Sequence, residues 1–96
     1  MEIRIRHSYA APAEKVWGAL KTAIIRHPDI QGKKIQWSAR RGEGKYAGCR
    51  ISLELTAPFP DTSEVEAVIS GPVLILSFME DRIRMALKDF LSGLKL

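Results

Sequence analysis

Two histidines, His7 and His27, and one cysteine, Cys49, are the residues of this chain with the widest chemical repertoire. Imidazole and thiolate bind metals, and either can serve nucleophilic catalysis. Their spacing suits neither use. Metal sites in short chains draw on closely spaced Cys and His pairs, and these three residues stand far apart with no second ligand beside any of them. No nucleophile-elbow pattern surrounds a serine or the cysteine, so a catalytic triad has no starting point. Arg41-Gly42-Glu43-Gly44-Lys45 is glycine-rich but lacks the Ser or Thr, and the helix after it, that a phosphate loop needs. Cys49 falls on the inward face of an alternating strand, which predicts a buried, inert thiol. His7 reads as a hydrogen-bonded histidine in the core or at the sheet margin. On these residues the chain is non-enzymatic, with no catalytic group, metal or cofactor.

Contact chemistry is better represented. Leu74, Phe78 and Met85 fall on the side of a C-terminal helix opposite its core stripe, among Asp81, Lys88, Asp89 and Ser92. Two readings stand. The first turn is over-hydrophobic and tucks under a loop or strand end, or these side chains meet a second subunit, a partner or an apolar phase. A second candidate is a cleft for a lipid or aromatic ligand, lined by Trp17, Trp37 and Phe90. A third follows from the net charge of +4 and a pI near 9.5. Arg4, Arg6, Lys34 and Arg50 would contact anions such as nucleic acid across a basic sheet face. Glu54, Glu64 and Glu66 share that face, which favours a solvated surface.

These residues need elements to hold them. Ile3, Ile5, His7 and Tyr9 alternate with Arg4, Arg6 and Ser8, a period-two strand. Pro12 then opens a helix, with Glu14 in its first turn and Ala13, Val16, Trp17, Leu20, Ala23 and Ile24 on one face. Gly18 would allow close packing against the sheet or the last helix. Pro28 stops the helix. A second strand carries Ile35, Trp37 and Ala39 inward, and Arg41-Gly42-Glu43-Gly44 reads as the turn of a hairpin. The third strand has Ala47, Cys49, Ile51, Leu53, Leu55 and Ala57 on one face. Pro58-Phe59-Pro60-Asp61 breaks it. The last strand turns Val65, Ala67 and Ile69 inward. Pro72 starts the C-terminal helix, whose core stripe is Leu76, Met79, Ile83, Ala86, Leu87, Phe90 and Leu94.

The pattern predicts one α+β domain over residues 1–96. It has two layers, a four-stranded antiparallel sheet and both helices on one face, in the order β-α-β-β-β-α. An apolar fraction of 46% and a charged fraction of 27% are ordinary for a globular chain. No run spans a bilayer, Met1-Glu2-Ile3-Arg4 lacks the apolar core of a signal peptide, and the lone cysteine excludes an internal disulfide framework. The expected location is the cytoplasm.

Two resemblances add to this. Ala10-Ala11-Pro12-Ala13-Glu14-Lys15-Val16-Trp17 after a strand resembles the opening of START-like, Bet v 1-like helix-grip domains. That implies a sheet wrapped around a long C-terminal helix and an apolar ligand; at this length it would be a reduced version. Nearly the whole chain resembles the small polyhydroxyalkanoic acid system proteins, found near genes for polyester storage granules. The shared features are the opening strand and helix, a strand with Trp37, the run Tyr46-Ala47-Gly48-Cys49-Arg50-Ile51-Ser52-Leu53, and Gly71-Pro72-Val73-Leu74 before an amphipathic helix. This second resemblance implies a link to polyester granules, through a granule protein or the polymer surface. With the apolar residues of the C-terminal helix, which also allow a homo-oligomer, the expected role is a non-enzymatic accessory binding protein.

Overall fold

The alternating stretches fold as strands, and the stretches of helical period that follow Pro12 and Pro72 fold as helices. The computed structural model describes residues 1–27, 35–46 and 48–96. In chain order the elements are β1 (Glu2–Tyr9), α1 (Ala13–Arg26), β2 (Gln36–Trp37), β3 (Arg41–Tyr46), β4 (Cys49–Phe59), β5 (Thr62–Ser70) and α2 (Val73–Ser92). The strands form one antiparallel sheet of five, in the order β1-β5-β4-β3-β2. The first strand thus lies beside the last.

Among the described residues the sheet therefore has five strands, not the expected four. The difference lies at Arg41-Gly42-Glu43-Gly44, which is part of β3 rather than a turn. Gly42 pairs with Trp37, and a Cβ there would come within 2.6 Å of the indole ring. The glycine makes room for a cross-strand aromatic and does not reverse the chain. The reversals lie on either side. Ser38 N–H donates to the Arg41 carbonyl at 2.8 Å before β3. After β3, Tyr46 pairs with Cys49 across a connection in which Gly48 has φ 80°. Such a φ favours glycine. The segment expected around Trp37 contributes only two strand residues. The Pro58–Asp61 break comes later than expected. β4 runs on to Phe59 through a register irregularity after Thr56, and Phe59 pairs with Thr62. Pro28 and Ala47 lie outside the described residues.

Both helices cover one sheet face. Val16, Trp17, Leu20 and Ile24 of α1 join Tyr9, Leu53, Leu55, Val65, Ala67 and Leu91 in one buried cluster. Ile3, Cys49, Ile69 and Leu76 form a second. Two buried hydrogen bonds tie the layers: Tyr9 O–H donates to the Leu91 carbonyl at 2.6 Å, and Ser63 O–H to the Ala11 carbonyl at 2.8 Å. Burial pushes the Tyr9 phenol up to about 12.

The core stripe of α2 is rotated from the one expected. Leu76 and Leu91 are fully buried, and Ile83, Leu87, Phe90 and Leu94 are half-buried. Met79 is 40% exposed and Ala86 is exposed. The cause is placement: α2 packs chiefly against the edge strand β1, and α1 covers β4 and β5. A helix over an edge strand turns one flank of its apolar arc to the sheet and leaves the other open. Gly18 also differs from expectation, because a Cβ there would meet nothing within 4 Å. It faces open space rather than a packed neighbour.

Candidate functional site

The first two turns of α2 are apolar nearly all the way round: Val73, Leu74, Ile75, Leu76, Phe78 and Met79. One side chain in such a turn can point into the core, and Leu76 does. The others are displaced outward. Phe78 is 91% exposed, Leu74 87% and Met85 66%. The three residues placed opposite the core stripe therefore share one solvent-facing ridge, and among the described residues no loop or strand end covers it.

Beside the ridge is a groove. It lies between α2 and the ends of β4 and β5 and has a volume of about 240 Å³. Cys49, Ile51 and Ile69 form its floor, and Ile75, Met79 and Ile83 its helical wall. Gly71 lies close against Cys49 of the floor: a Cβ there would stand 2.9 Å from the Cys49 Sγ. Met79 and Ala86, expected in the core, instead line this opening. What sequence reasoning did not name is the lining of this groove near the last helix. Its only signal was the run of seven apolar or small residues from Val73 to Met79, too many for one buried stripe.

The charges around the ridge are unusual. Asp81, Arg82, Lys88 and Asp89 are exposed, and among the described residues none has an ion-pair partner. The charges of α2 that do pair are Glu80 and Arg84, at 2.9 Å, near its buried side.

The aromatic trio does not converge on one cleft. Trp17 and Trp37 pack edge to face with ring centroids 5.4 Å apart, and the Lys21 ammonium lies over both rings at 5.6 and 5.4 Å. Trp17 is buried. Phe90 lies elsewhere, edge-on to His27 at 6.0 Å, lining a second groove between α1 and the end of α2. That groove is larger, about 770 Å³, and runs past Gly18, Gly93 and Leu96.

The basic face is largely neutralised from within. Arg4 Nη1 donates to Glu66 Oε1 at 2.8 Å, and Arg6 Nε to Glu66 Oε2 at 2.6 Å. The hydrogen bond from Arg6 to Glu66, and then the charge of Glu66, raise the Arg6 pKa above its ordinary value. Arg50 stands across from Lys45, and neither has an ion-pair partner among the described residues. Lys34 lies outside the described residues. His7 packs its ring against Tyr9 at 4.7 Å. Cys49 is buried, as its inward position predicted. Among the described residues no group of three or more His, Cys, Asp or Glu could hold a metal, and no helix is long and apolar enough to cross a membrane.

No family model matches the chain, and no curated protein does. Solved structures do resemble it. CalU16 from Micromonospora echinospora is 25% identical, with a TM-score of 0.64 over 94% of this chain and 71% of that one. TTHA0849 from Thermus thermophilus is 15% identical, with a TM-score of 0.61 over 98% of this chain and 94% of that one. The α+β architecture is thus shared with one longer protein and one of similar size.

Proposed function

We propose that this chain is a non-enzymatic binding protein of reduced helix-grip type, which meets an apolar surface through the first half of α2. Granule polyester is the surface that the family resemblance implies, and a cytoplasmic setting goes with it. The observation that carries the reading is the exposure of Phe78 and Leu74, 91% and 87%, on a helix whose packing needs neither. Burying such a side chain yields roughly 1.5–3 kcal/mol. The chain forgoes that gain when alone and recovers it on contact.

The groove supports a surface contact over a small-ligand carrier. The second groove, about 770 Å³, falls within the usual range of ligand pockets, about 300–1,000 Å³, but charged residues line it, Glu14, Lys15, Arg26, Asp89 and Lys95; the α2 groove measures about 240 Å³. It admits a side chain or a polymer segment more readily than a whole lipid. Nucleic-acid binding is less favoured, because Glu66 occupies both Arg4 and Arg6.

The test is a double substitution, Phe78→Ser with Met85→Ser. The fold should persist, with thermal stability nearly unchanged, because both side chains are exposed. Binding to poly-3-hydroxybutyrate particles should fall about tenfold or more. Wild-type binding by the double variant would sink the proposal.

A further inference from the structure

We infer that the outer face of α2 pairs with a second copy of this chain, the two helices running antiparallel about a two-fold axis at Met85. The inference rests on the reading of α2 as a contact element, and it names the partner of the ridge.

Residues three and four apart are neighbours on a helix surface. The four such neighbours of Met85 are Asp81, Arg82, Lys88 and Asp89. All are exposed, and none has an ion-pair partner among the described residues. At about 100° per residue, Asp81 and Lys88 fall on one flank of Met85, and Arg82 and Asp89 on the other. Each flank thus carries one acid and one base, two turns apart.

A two-fold axis that crosses the helix at Met85 reverses its direction and keeps each flank on its own side. Asp81 of one copy then meets Lys88 of the second copy, and Arg82 meets Asp89 of the second copy. An isologous interface repeats every contact, so each pair forms twice. Two copies of a chain with a net charge of +4 repel at long range. This face is locally neutral, so it is a place where close approach is not opposed.

The apolar parts also match in this orientation. The ridge, Leu74 and Phe78, lies at the start of α2, and the larger groove lies at its end, beside Phe90, Gly93 and Leu96. Antiparallel pairing carries the ridge of each copy to the groove of the other; parallel pairing leaves both grooves empty. Pairing covers the ridge that the proposed polymer contact uses, so the two contacts compete and a particle takes the chain as a monomer.

Charge reversal tests this directly, since all four charged side chains are exposed and the fold should tolerate it. The wild-type chain should sediment as a dimer. D81K and K88D alone should each raise the dimer Kd about tenfold or more, by setting like charges face to face. The double variant D81K/K88D restores opposite charges and should recover the wild-type Kd. In a parallel pair Asp81 would face Arg82 of the second copy, and the double variant would be worse than either single one. A wild-type chain monomeric up to about 1 mM, or a double variant without recovery, overturns the inference. Particle binding is measured alongside. D81K keeps every apolar residue, so a monomeric D81K that still binds particles leaves the proposed function standing.

Discussion

The outer face of the sheet and the outer face of α2 both meet water, yet they use their charges in opposite ways. On the sheet, Arg4, Arg6, Glu64 and Glu66 answer one another across β1 and β5, and Arg41 answers Glu43 along β3 and Glu54 across to β4. Even Glu54 and Glu66, which stand directly opposite each other, have separate arginine partners. On α2 the four charges around Met85 have no ion-pair partner among the described residues, and they frame side chains that are apolar. Local pairing follows from geometry. Cross-strand neighbours stand about 4.5–5.5 Å apart, so a sheet can satisfy its own charges. The outer face of a lone helix has neighbours only along its own length. The difference marks the β1–β5 side of the sheet face as finished within the chain and the helix face as a surface that a partner completes. At the β3–β4 end Lys45 and Arg50 stand opposite each other without an ion-pair partner among the described residues.

The largest test of this contrast lies within one helix. Leu76→Ala should cost about 2–5 kcal/mol, because it empties a fully buried site. Phe78→Ala, two residues on, should stay within about 0.5 kcal/mol for the isolated chain. Chemical denaturation at low protein concentration checks both. A large loss at Phe78 would erase the distinction between the faces of α2.

An intermediate effect comes with pH. The folded Tyr9 phenol titrates at about 12, above an ordinary value of about 10. The unfolded chain therefore loses this proton first as pH rises. The contribution of the neutral phenol is whole below about pH 10 and is lost progressively toward 12. Denaturation followed across that window should show falling stability, and Tyr9→Phe should flatten the fall. An equal fall in the variant would mean that the bond to Leu91 does not tie β1 to α2 as described.

The smallest effect separates the two charged faces. Glu66→Ala removes two ion pairs and should cost roughly 1 kcal/mol or less, since exposed pairs contribute about 0.2–1 kcal/mol each. Relief of the Glu54 repulsion offsets part of that cost. Asp81→Ala breaks no ion pair among the described residues, so its effect on the monomer should be smaller still. Added salt should narrow the gap between them. Equal costs at low salt would show that the sheet charges are no more committed than those on the helix.

Much of the fold was legible because the strands are one-sided. Val65, Ala67 and Ile69 alternate with Glu64, Glu66 and Val68, and that pattern fixes which face is buried. Trp37 and Gly42 were not legible as a pair. Glycine-rich runs read as turns, and only the register shows that Gly42 is small because an indole lies over it. Among the contact residues, Leu74, Phe78 and Met85 could be placed together by helical period alone. The grooves could not, since each is built from elements far apart in the chain.

The amino-acid order alone determined two helices, an antiparallel sheet with a single apolar face, and a helix with more apolar surface than one stripe can hide. Periodicity carries that information because it depends only on local geometry. Tertiary structure decided where α2 rests. Its seat over the edge strand β1 buries Leu76 and Leu91 and opens Met79 and Ala86. The exposure of Phe78 is a consequence of that seat. A helical period shows which residues share a flank, but the flank that meets the sheet is chosen by packing between elements distant in sequence.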